Sequence, residues 1–95
     1  MTTRRLWTAI CDYRGGTYVR QTRAGNAARA LVEVVASLSP REVTGLSERA
    51  HRDLVSQSPL EDLGAVEGME NVWCASLLAD DDALLLVHLV ETKPK

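Results

Sequence analysis

The feature that most constrains this chain is a change of period between residues 6 and 38. Residues 6–13 (Leu-Trp-Thr-Ala-Ile-Cys-Asp-Tyr) and 17–23 (Thr-Tyr-Val-Arg-Gln-Thr-Arg) are rich in β-formers and flank Gly15-Gly16. Two glycines supply the positive φ angles of a tight two-residue turn, so the segment reads as a β-hairpin. After Ala24-Gly25-Asn26 the apolar residues Ala27, Ala30, Leu31, Val34, Val35 and Leu38 recur at the 3.6-residue spacing of a helix. One helix stripe can cover one sheet face, so hairpin and helix form a packing unit.

A Gly15-Gly16 loop pairs Arg14 with Thr17, Tyr13 with Tyr18, Cys11 with Arg20 and Ala9 with Thr22. One face of the hairpin then carries Trp7, Ala9, Cys11, Tyr13 and Tyr18, and the other Leu6, Ile10 and Val19 among polar residues. The aromatic face has the larger apolar surface and is the expected core face. It follows that Arg20 and Arg23 point to opposite sides.

Asn26 is a competent N-cap for the first helix, which should end before Ser39-Pro40. Ser39 with Glu42 forms a capping-box pattern and Pro40 suits a first helical position, so a second helix is expected to begin there. Its apolar positions are Val43, Leu46, Ala50, Leu54 and Val55. Gly45 weakens it by about 1 kcal/mol relative to Ala, and Ser47 with Ala50 offers a separate restart. Ser58-Pro59 ends the helical region, and residues 64–71 read as loop.

Residues 72–78 and 83–90 are near-continuous apolar runs around Asp80-Asp81-Asp82. They read as a second hairpin whose strands lie mid-sheet or are covered twice. The expected fold is α+β in the order β-β-α-α-β-β, an antiparallel sheet of about four strands with two helices packed on one face. A chain of 95 residues has room for one small domain spanning 1–95, with frayed ends at 1–4 and 93–95.

No segment approaches the roughly 20 apolar residues of a membrane-spanning helix. Asp12 interrupts the apolar stretch after Arg4-Arg5 too early for a signal peptide. A cytoplasmic protein that does not engage a membrane is the expectation. Cys11 and Cys74, the two cysteines, are far apart and lack C-x-x-C spacing, so neither a zinc site nor a disulfide framework is indicated. The Asp run lacks the spacing of a calcium loop, and Gly15-Gly16 lacks the Lys-Ser/Thr of a phosphate loop. No cofactor is expected.

A nucleophilic pair would have to use Cys74 or Cys11 with His88 or His51. A two-residue loop at Asp81-Asp82 sets Ala75 opposite His88, whereas a three-residue loop sets Cys74 there. Neither arrangement provides a third orienting group, and the chain is read as non-enzymatic.

Charge is distributed unevenly. Residues 1–52 carry nine arginines against four acids, a balance of +5, and residues 53–95 carry nine acids against two lysines, a balance of −7. Such a split marks either an anionic partner for the first half or two halves that neutralise each other on packing. Arg14, Arg20 and Arg23 stand among Tyr13 and Tyr18, the interleaving of cations and aromatics that holds single-stranded nucleic acid. These five residues are the candidate partner-binding set. The leading expectation is a protein-interaction module, with another protein or a second copy as partner. A nucleic-acid-binding protein is the alternative, and a small cysteine-dependent enzyme comes third.

The strand, the Gly15-Gly16-Thr17-Tyr18 turn, the second strand and the Ala-rich helix resemble the start of HicB-type antitoxins. The overlap covers about a third of the chain. The second helix and last hairpin do not match that family, and no function or site residue is carried over.

Overall fold

The computed structural model describes residues 4–79 and 82–93. Strands β1 (Arg5–Tyr13) and β2 (Gly16–Ala24) are followed by helices α1 (Ala27–Ser37) and α2 (Glu48–Gln57) and a 3-10 turn at Ser58–Leu60. Strands β3 (Gly64–Ala65), β4 (Val72–Leu78) and β5 (Leu84–Thr92) complete the chain. All pairings are antiparallel, and the sheet order is β2-β1-β5-β4-β3. The α+β class and the two helices agree with the sequence expectation. The sheet has five strands rather than about four, because Gly64 and Ala65, expected in a loop, pair with Cys74 and Trp73.

The first turn differs by one residue from the expected one. Tyr13 pairs with Gly16 and Cys11 with Tyr18, so the turn residues are Arg14 and Gly15, at φ 47° and 81°. Both being left-handed is the signature of a hairpin turn of type I′. The shift changes every partner by two positions and therefore leaves the faces unchanged. Gly16 has a different reason to be glycine: a Cβ there would lie 2.7 Å from the Tyr18 hydroxyl oxygen.

Helix α1 begins as expected, with the Asn26 side chain accepting from the Arg29 N–H at 2.9 Å. Ser39-Pro40 does not start a helix. Ser39 does accept from Glu42 N–H and Val43 N–H, which makes a single turn. The Glu42 carboxylate, however, takes a hydrogen bond from Arg20 at 2.6 Å, and Gly45 at φ 83° ends helical geometry. The restart at Ser47 is the one that forms, its hydroxyl accepting from Ala50 N–H at 3.0 Å.

One sheet face packs against both helices. Trp7, Ala9, Cys11 and Tyr13 of β1 are buried with Leu85, Val87 and Leu89 of β5 and Ala75 and Leu77 of β4. Ala30, Leu31, Val34 and Val35 of α1 and Ala50 and Leu54 of α2 close over them. Trp7 anchors the layer. It is fully buried, its indole N–H donates to Ala24 O at 3.1 Å, and its ring meets Trp73 edge-on with centroids 5.2 Å apart. Among the described residues, no helix is long and apolar enough to cross a membrane. Of the ends expected to fray, 1–3 and 94–95 lie outside the described residues, as do Asp80 and Asp81; Arg4 and Lys93 are exposed.

Candidate functional site

The five residues singled out in the sequence are not gathered on one surface. Tyr13 is 2% exposed, in the core, and its hydroxyl lacks a hydrogen-bond partner among the described residues. Tyr18 is half-buried, its hydroxyl accepting from Thr44 N–H at 3.0 Å. Arg20 is held by Glu42, and the Arg14 guanidinium lies 5.7 Å from the Tyr13 ring centre. Arg14, Tyr18 and Arg20 tie the first hairpin to the segment at residues 39–46, where Gly45 leaves room for the Arg14 side chain. Arg23 stands apart, exposed on the opposite face near the far end of β2.

Arg23 belongs to a basic end of the molecule. With Arg4, Arg29 and the Asn26 cap it lines a cavity of about 490 Å³ at the start of α1. No acidic residue occupies the first turn of α1, and the Arg4 guanidinium donates to Arg23 O. Nearby, Arg5 pairs with Glu91 at 2.9 Å, so the basic first half and acidic second half do meet at one point.

The larger unassigned surface is the sheet face away from the helices. Strand parity and register put Leu6, Thr8, Ile10 and Asp12 on it from β1, and Thr17, Val19, Gln21 and Arg23 from β2. Strand β5 adds Leu84, Leu86, His88, Val90 and Thr92, and β4 adds Val72, Cys74, Ser76 and Leu78. Nothing in the described chain packs over this face. Ile10, Val19, Leu78 and Leu84 remain 37%, 57%, 52% and 51% exposed, as two cross-strand pairs linked by the half-buried Leu86, unlike the isolated Leu60 and Met69 elsewhere.

The polar residues of the open face largely bond to one another. Gln21 donates to the Thr8 hydroxyl at 3.0 Å, Thr8 and Thr92 share a hydrogen bond of 2.6 Å, and Thr17 donates to Asp12 at 2.7 Å. The Thr8, Gln21 and Thr92 groups bonded in this way keep those partners when the face loses water.

Cys74 lies opposite His88 on this face, the arrangement that a three-residue loop produces. Ala79 N–H bonds to Ala83 O, and Asp82 sits at φ 64° beyond the tip. No hydrogen bond joins Cys74 to His88 among the described residues. Cys11, in the core, has its thiol pushed up to about 11 by burial, opposed by Arg20 and reinforced by Asp12. A thiol so held stays protonated at neutral pH and is a poor nucleophile. Among the described residues no three His, Cys, Asp or Glu side chains converge as metal ligands. No known protein family, curated protein or solved structure matches the chain.

Proposed function

We propose that this protein is a cytoplasmic, non-enzymatic interaction module that binds a macromolecular partner through its open sheet face. The observation that carries the reading is a contiguous apolar face whose polar members are mostly satisfied internally and which no segment of the described chain covers. Sheet faces exposed to water normally alternate to polar residues, and a large apolar face that does not is a binding surface. The test is capture from the source cell extract with tagged wild type and with tagged Val19→Lys. Wild type should retain a stoichiometric protein, the untagged copy of this chain included, and Val19→Lys should lose it. Equal recovery with both would remove the face from the account.

A second reading, nucleic-acid binding, draws on the basic end rather than on the tyrosines. Arg4, Arg23 and Arg29 around one cavity, against the single carboxylate of Glu33, form a net cationic surface to which phosphates are attracted. That reading requires an affinity for single-stranded oligonucleotide that falls steeply with salt and weakens in Arg23→Ala/Arg29→Ala. A flat salt response would end it.

A further inference from the structure

Resting on the interaction-module reading, we propose that the partner on the open sheet face is a second copy of this chain, packed face to face about a two-fold axis that crosses the strands. Three features of the face point to a copy of itself.

The first is charge. Besides His88 and the Cys74 thiol, the ionisable side chains that the described strands put on the face are Asp12 and Arg23, at opposite ends of the first hairpin. Asp12 has the Thr17 hydroxyl as its hydrogen-bond donor, and Arg23 has no carboxylate partner among the described residues. Asp12 lies opposite Thr17 and Arg23 opposite Leu6, so the two are equally far, in rows of the ladder, from the row of Ala9 and Arg20. A two-fold axis crossing the strands at that row turns the Asp12 end of one copy onto the Arg23 end of the other. Asp12 of each copy then meets Arg23 of the other, a contact made twice in the dimer, and neither meets its own kind.

The second is the centre of the face. Ile10 and Val19 are paired neighbours one row from that axis, with His88 and Cys74 continuing the same row across β5 and β4. Two copies therefore bring Ile10 and Val19 together at the middle of the contact, with the threonine and glutamine cluster beside them, while Leu78 and Leu84 lie at the far end of β4 and β5, outside the overlap. A weakly charged apolar centre is the usual anatomy of a homodimer.

The third is area. Four long strands at about 4.8 Å spacing and about 3.4 Å per residue give a face of about 500 Å² in plan. Two copies in full overlap remove about 1,000 Å² in plan, which is at the lower bound for a specific interface. Antiparallel sheets stack in this way with their strands about 30° apart.

Sedimentation equilibrium of the purified full chain, with circular dichroism as the check on folding, tests the proposal. Wild type should sediment at twice the 10.4 kDa chain mass. Val19→Lys places a cation beside its symmetry mate and should raise the dimer dissociation constant by about 100-fold or more with the fold intact. Asp12→Arg and Arg23→Asp should each weaken the dimer, and the double variant Asp12→Arg/Arg23→Asp should restore it. Wild type that stays monomeric overturns self-pairing, as does a dimer indifferent to Val19→Lys, which would be joined through the β2 edge. A double variant no tighter than the single ones overturns the axis. A monomeric wild type whose captured partner is still lost in Val19→Lys leaves the interaction reading standing; only equal capture removes that as well.

Discussion

The two faces of the sheet are built from the same strands and meet different fates. On the helix side Trp7, Cys11, Tyr13, Leu85, Val87 and Leu89 disappear beneath α1 and α2. On the other side Ile10, Val19, Leu78 and Leu84 are left partly in water. The covered face holds both large anchors, Trp7 and Tyr13, and accounts for the stability of the chain. The open face leaves large apolar residues partly in water, and its composition calls for an explanation outside the isolated fold. The comparison divides the residues into those that should matter for folding and those that should matter for association.

The largest effect should come from the covered side. Trp7→Ala removes a fully buried indole, its bond to Ala24 O and its contact with Trp73, and should cost about 3–5 kcal/mol in denaturant unfolding. Val19→Lys, on the open side, should change monomer stability by no more than about 0.5 kcal/mol when measured at low concentration. Similar losses at the two positions would break the division.

Next in size is an alkaline effect from Cys11. Its thiol ionises near 9.0 when unfolded and near 11 when folded, so the native state holds the proton more tightly. The stability it confers is complete below pH 9 and is lost as pH rises through 11, amounting to about 2–3 kcal/mol. Cys11→Ala should flatten that part of the stability profile. An unchanged profile would mean that Cys11 is not sealed beneath the helices.

Smaller again is Gly16→Ala. The added methyl meets the Tyr18 ring on the covered side, and a loss of about 1–3 kcal/mol is expected as Tyr18 is pushed from Thr44. Smallest of the losses on the covered side is Ser47→Ala, which removes the cap of α2 and should cost about 1 kcal/mol without affecting association.

What the sequence made legible follows from how local each signal is. Parity assigned the faces of β1 and β2 correctly even though the turn falls at Arg14-Gly15, since a two-position change of partner preserves which side a residue points to. Asn26 and Ser47 were readable as caps because a cap acts across three residues. The region at 39–46 was not, because Glu42 is drawn to Arg20, which is distant in sequence, and Gly45 breaks the turn. Strand β3 escaped notice because two residues carry no period. The candidate site was the least legible part. Tyr13 and Tyr18 stand within two residues of arginines but also on the expected core face, and it is the face that decides: one enters the core and the other anchors a loop. The continuous apolar run of β5 does lie mid-sheet, as expected, but its second face is left without a cover in this chain.

Cys74 offers the most direct measurement, because it sits on the open face beside His88 while Cys11 is buried. The rate at which a neutral, water-soluble thiol reagent labels Cys74 would be followed as the concentration of purified protein is raised. The account predicts fast labelling in dilute solution, marked slowing as copies pair, and fast labelling at all concentrations in Val19→Lys. A wild-type rate that is independent of concentration and equal to that of Val19→Lys would contradict it.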